Sequence, residues 1–308
     1  MRLPSCVVAT QLSILVLAFA ASSQTASLQQ HLQSRYQNKT FLLREFYSNK
    51  HLHYDAAGVP IGTPVPGFWT IDGFVLVTET RVQDQSLVIT GRRMAVISTG
   101  HGFQFQADSS KKRKKVSTVE IEARIGAGES VEHLDALMDK IFLTGSDSLV
   151  AVVPSYWQTC VSAGLSEVND PKFAGCRFSA ELLTIPGVNP NADVRATSDK
   201  NQTALPGSNT LHVFRVGKGI SPPGPLFTPE PQFSGLARET KFQGVLTLGL
   251  IVDDHGEPRG VQILSPLGAG LDEEAVRTVR TWRFKPAKQE DHTPVAVEIA
   301  VQVDFHPY

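Results

Sequence analysis

A cysteine pair, a histidine pair, an acidic turn and a basic pentad are the groups in this sequence whose types and spacing could do chemistry. Cys160 and Cys176 would close a modest loop, and in an oxidising compartment they are a candidate disulfide. The alternative is two separate small core residues. With no CxxC spacing, zinc is not expected. His51-x-His53 with Asp55 would face one way on a strand, as ligands to a metal would. Those ligands are too few for an ordered site, so no metal is assigned. Asp253-Asp254-His255-Gly256 reads as a turn, where Asp chemistry and a glycine of free φ suffice without catalysis. Lys111 to Lys115 runs Lys-Lys-Arg-Lys-Lys. It fits either contact with anionic headgroups or a solvated loop between Gln106 and Val116.

No catalytic motif accompanies these groups. Neither a nucleophile elbow, an HExxH helix nor a phosphate loop occurs. Gly268-x-Gly270 precedes a helix but lacks the third glycine of a dinucleotide fingerprint. The reading is a non-enzyme with no catalytic residue and no cofactor. Charge is balanced, 29 Lys plus Arg against 30 Asp plus Glu, so no global excess points to nucleic acid.

Several elements must position these groups. The 308 residues favour two domains with connectors. Residues 1–26 form a targeting segment: Arg2, an apolar stretch from Leu12 to Ala21, and a small-x-small site at Ala18-Phe19-Ala20. It reads as a cleaved signal peptide, with an uncleaved inner-membrane anchor as the alternative, although the run falls short of roughly 20 residues. Cys6 precedes the apolar core and is badly placed for lipid modification. Residues 27–150 read as a separate, mainly β domain, a small barrel or sandwich. Within it, Leu28 to Tyr36 is a short helix and Trp69 to Thr80 a strand, and Val116 to Ile125 alternates. Ser130 to Ile141 carries Val131, Leu134, Leu137, Met138 and Ile141 on one helical face. Residues 151–210 are a bridge followed, from 184, by a flexible Pro/Gly/Asn-rich linker. Residues 211–308 form the last domain.

That domain has the clearest pattern. Phe242, Leu246, Leu248, Leu250 and Val252 share one parity, and Val261 and Ile263 resume it after the turn. A helix follows Gly270. Asp272, Glu273 and Glu274 sit in its first turn, and Arg277, Arg280 and Arg283 lie later, complementing the helix dipole. Leu271, Ala275, Val279 and Trp282 share its buried face. The helix is expected to end in Trp282-Arg283-Phe284-Lys285-Pro286-Ala287, with both aromatics in the core. Arg283 has Asp272 and Glu298 as candidate ion-pair partners. In the final strand Val295, Val297, Ile299, Val301, Val303 and Phe305 take the odd positions against Ala296, Glu298, Ala300, Gln302 and Asp304. One face is core and the other wet, the mark of an antiparallel strand on a half-covered sheet.

This set resembles the C-terminal domain of the TonB family across roughly residues 216–308. The matching pieces are Pro229-Glu230-Pro231 with Ala237-Arg238, Gly244-Val245, Val252-Asp253 with Gly256, and Val261 with Ser265. Leu271-Asp272 with Ala275, the Trp282 to Ala287 run and Pro294-Val295 complete it. The resemblance implies an α+β fold, an antiparallel sheet with a packed helix. It also implies a periplasmic role, coupling inner-membrane energy to receptor-mediated transport at the outer membrane. An extended receptor segment would add to a sheet edge, at the strand carrying Val295, Val297, Ile299, Val301, Val303 and Phe305, and inner-membrane motor proteins would be further partners. The same edge is a candidate for homodimer pairing, or the strand is only structural. A full transducer of the family resembles an anchor, a long Pro-rich spacer and this domain. Here a globular domain stands in the spacer's place, which keeps open a soluble periplasmic docking or scaffold protein without force transduction.

Overall fold

The computed structural model describes residues 26–83, 85–106, 117–126, 129–166, 170–188 and 212–306. The targeting segment, the basic pentad and nearly all of the linker lie outside these residues. The chain divides into two compact units, and their segments interleave rather than meeting at one boundary near 150. One unit takes Met1–Pro66, Val75–Arg93 and Ser109–Phe142; the other takes Gly67–Phe74, Met94–Asp108 and Leu143–Tyr308.

In the first unit a helix α1 (residues 26–36) precedes β1 (Thr40–Leu42), β2 (His51–Tyr54) and β3 (Pro60–Ile61). The long strands β4 (Phe74–Gln83) and β5 (Ser86–Met94) follow; β6 (Val96–Ser98) and β7 (Phe103–Phe105) then pair with each other in the second unit. Back in the first unit come β8 (Thr118–Arg124) and α2 (Val131–Ile141). The sheet order is β1-β4-β5-β8-β2-β3. Leu28, Leu32 and Tyr36 of α1 and Leu134, Leu137, Met138 and Ile141 of α2 share one core with Val75, Val77, Leu87, Ile89, Val119, Ile121 and Ala123. The alternating strands have one apolar face, and helices bury it. The expected barrel or sandwich is therefore an open sheet layered with helices. Ser130 caps α2, accepting from the His133 N–H at 3.2 Å.

Residues 69 to 73 depart from the expected strand. They form a π-helical turn, Trp69–Gly73, and β4 starts only at Phe74. Asp72 Oδ2 accepts from the Phe68 N–H at 2.9 Å, a local side-chain bond that an extended chain could not make. The turn belongs to the second unit. There Trp69, Trp157, Phe103 and Phe178 form a ring cluster with centroids 5.1–6.4 Å apart.

The rest of the second unit begins with α3 (Leu149–Val152), α4 (Ser155–Leu165), a 3-10 turn (Pro171–Cys176) and α5 (Ala180–Leu183). Cys160 and Cys176 are joined by a disulfide, Cα–Cα 5.3 Å. After β9 (Val213–Arg215) and β10 (Gly224–Phe227) come α6 (Gly235–Thr240), β11 (Gly244–Val252), β12 (Pro258–Ser265) and α7 (Leu271–Val279). The chain closes with β13 (Arg283–Lys285), β14 (Ala287–Lys288) and β15 (Pro294–Phe305). The helix thus stops at Val279, and the Trp282 to Ala287 run is extended, not helical. Phe284 pairs with Pro225 in the β10–β13 ladder, and backbone pairing wins over continued helix just before Pro286.

Candidate functional site

The candidate site is the outer edge of β15. Along residues 297–305 this strand pairs antiparallel with β11, in unbroken register from Val252↔Val297 to Gly244↔Phe305. On its other side β14 meets Pro294 and Val295, and β9 runs parallel against Ala296, Val297 and Glu298. Residues 299–305 have no strand on that side among the described residues. Every second backbone N–H and C=O there faces away from β11, as an edge dictates.

Side chains and backbone divide the labour. The side chains of Val295, Val297, Val303 and Phe305 are buried in the core, which leaves only their backbone to face an edge. Ile299 and Val301 are only half-buried. They lie in the stretch that pairs with β11 on one side and has no strand on the other among the described residues. Phe305 meets Phe233 edge to face at 5.3 Å, closing the core at that end. Glu298, Ala300, Gln302 and Asp304 are exposed on the opposite face.

The far side of the sheet is built differently. In β12, Val261, Gln262 and Ile263 are buried in succession, a loss of alternation that requires cover on both faces. The cover is the disulfide-stapled segment. Thr159 Oγ1 donates to Gln262 Oε1 at 2.8 Å, and Cys176 Sγ lies 3.6 Å from the Leu264 carbonyl. The same α4 reaches the helix: Trp157 Nε1–H donates to Glu273 Oε1 at 3.1 Å.

The first turn of α7 is therefore not a solvated acidic face. Asp272 is fully buried, accepting from the Leu267 and Gly268 N–H groups at 2.9 and 2.5 Å. Glu273 is 4% exposed, and its Oε2 has no hydrogen-bond partner among the described residues. Burial raises the pKa of both carboxyls, and for Glu273 the charge of Asp272 adds to it. Asp253 goes the other way. Although burial opposes ionisation, N–H donors from Glu257 and His255 and the Arg259 guanidinium hold its carboxyl below the usual range.

The remaining candidates are not assembled into a site. His51 and His53 face Glu120 and Glu122 across the β2–β8 ladder, each at 3.4 Å, while Asp55 turns away to accept from Ala57 and Val59 N–H. Ligand atoms of Asp253, Asp254 and His255 lie within 4.8 Å of one another, yet Asp253 is committed to the turn and to Arg259. Arg283 pairs with Glu257 at 3.7 Å, rather than with Asp272 or Glu298. Trp282 is buried as expected, and its Nε1–H donates to the Pro229 carbonyl at 3.0 Å. The Trp157–Glu273 bond and β9 as a neighbour of β15 escaped the sequence reading. A tryptophan beside a cysteine pair and a short strand after a linker carry no signal of what they will touch.

Residues 229–307 match the family described as Gram-negative bacterial TonB protein C-terminal. The chain carries a TonB C-terminal domain. Over 83 residues it is 32% identical to Protein tonB2 of Pseudomonas aeruginosa, covering 27% of this chain and 30% of that protein. The chain thus spans under a third of the curated relative's length. A solution NMR structure of the Pseudomonas aeruginosa TonB CTD aligns at 19% identity and a TM-score of 0.25, over 31% of this chain and 95% of that one. In this protein β11, β12, α7, β13, β14 and β15 all fall in the TonB C-terminal domain. The stapled segment against β12 lies outside the match. Among the described residues no helix is long and apolar enough to cross a membrane.

Proposed function

We propose that this protein couples inner-membrane energy to receptor-mediated transport across an outer membrane, by taking an extended receptor segment as an added strand on β15. One observation carries the reading: the outer side of residues 299–305 has no strand among the described residues, while Ile299 and Val301 stay half-exposed beside it. An added strand would satisfy the outward backbone groups and cover those two side chains. Pull applied to such a ladder loads its backbone hydrogen bonds. The chain would act in the periplasm, exported by its N-terminal segment, with inner-membrane motor proteins supplying the pull if that segment stays as an anchor.

The test is a photo-crosslinking side chain in place of exposed Gln302, in living cells, with exposed Arg259 on β12 as control. Adducts between position 302 and an outer-membrane protein, absent from position 259, are expected. Adducts joining two copies of this chain would replace the reading with homodimer pairing, and no adduct would refute an exposed docking edge.

A second reading is favoured by the interleaved unit: residues 67–74, 94–108 and 143–188 fold together with the TonB C-terminal domain. On that reading the protein is a soluble periplasmic docking module without force transduction. Intact mass from separated fractions decides. Loss of roughly the first 20–26 residues in the soluble fraction selects the docking module. Full length in the inner membrane selects the transducer.

A further inference from the structure

On the side of β15 away from β11, beyond the short pairing with β14, the neighbour is this chain's own β9. Three residues pair in parallel, Val213, Phe214 and Arg215 against Ala296, Val297 and Glu298. The match is chemical as well as geometric. Val213 packs on buried Ala296 and Ile251. Arg215 stands opposite Glu298 in the register. Yet the pairing is slight. No β9 residue is buried, and a groove of about 890 Å³ opens between residues 216–220 and residues 289–291. Phe214 leans on His212, its own neighbour in the chain, at 5.1 Å. A three-residue strand with no second strand beside it among the described residues, and a groove next to it, has few of the contacts that make a segment stable.

We propose that β9 is a displaceable stand-in for the partner strand, guarding the N-terminal half of the docking edge. This rests on the docking reading above. A partner strand has two tracks: residues 299–305, open among the described residues, and residues 296–298, open only when β9 leaves. A strand that uses both displaces β9, so apparent affinity falls by the fraction of molecules in which β9 is away. The occupant is an extended peptide with an apolar residue where Val213 sits and a cation opposite Glu298. The free edge is thereby shortened to a length that pairs poorly with chance strands, which limits edge-to-edge association.

The experiment uses the whole chain and a labelled synthetic peptide, Leu-His-Val-Phe-Arg-Val-Gly-Lys, which copies residues 211–218. Fluorescence anisotropy compares wild type with the triple variant Val213→Gly, Phe214→Gly, Arg215→Gly. About tenfold tighter binding to the variant is expected, the equivalent of about 1.4 kcal/mol. On wild type, a saturating excess of peptide should speed amide exchange at residues 213–215 and slow it at residues 296–302. This second readout stands even where the variant loses its fold. Equal affinity for both proteins, with residues 213–215 as protected as before, overturns the stand-in and leaves the docking edge intact. Binding to neither protein overturns the docking reading itself.

Discussion

Replacing Glu273 by Gln should make the protein more stable at alkaline pH and leave it nearly unchanged in acid. The folded protein holds this carboxyl near Trp157, Asp272 and Asp72, with one oxygen unpartnered among the described residues and the pKa raised, first by burial and then by the Asp272 charge. A raised carboxyl keeps a proton that the unfolded chain releases. Stability therefore falls as pH climbs from the ordinary carboxylate value of 4.5, and levels off above the folded value. Each tenfold gain in proton affinity on folding is worth about 1.4 kcal/mol. If adjacent Asp272 shares the effect and roughly a hundredfold gain remains at Glu273, the cost at pH 9 is about 3 kcal/mol. Glutamine keeps the acceptor for Trp157 and has no charge to bury. Its gain should be about 2–3 kcal/mol at pH 9 and under about 1 kcal/mol at pH 4.5. Urea denaturation between those pH values, followed by tryptophan fluorescence, measures it. The three tryptophans, Trp69, Trp157 and Trp282, all belong to the unit that holds Glu273. A variant less stable than wild type at pH 9, or a difference that does not grow with pH, refutes the reasoning.

Two further outcomes are expected from the scaffold. Removing the staple with Cys160→Ala and Cys176→Ala should cost about 3 kcal/mol, given a sequence separation of 16, and reductant should reproduce the loss in wild type but not in the variant. Loss of protection at Val261, Gln262 and Ile263 in amide exchange would show that the segment no longer covers β12. Gly256→Ala should cost about 3 kcal/mol by urea titration, because φ is +81° and an added Cβ would meet the Phe284 carbonyl. A stability within about 0.5 kcal/mol of wild type would show that this turn relaxes at no cost.

The sequence by itself determined the elements of the last domain. Strict alternation from Val295 to Phe305 marks a strand with one wet face, and the Asp253 to Gly256 turn marks the hairpin before it. Both are local rules, written in period and turn chemistry. The helix was legible too, but not its end. Trp282 to Ala287 has no strong period, and pairing with β10 made the run extended. Asp272 and Glu273 read as part of a dipole-matched first turn. Their burial is a tertiary fact, and Glu273 meets Trp157 of a segment more than a hundred residues earlier. The same holds for the site. Sequence placed β15, but which stretch of its edge is open among the described residues depends on where β9 and β14 come to rest. Spacing along the chain records which way a side chain faces. It does not record which distant backbone will satisfy the groups beside it, and that was decided only when the interleaved segments packed into one unit.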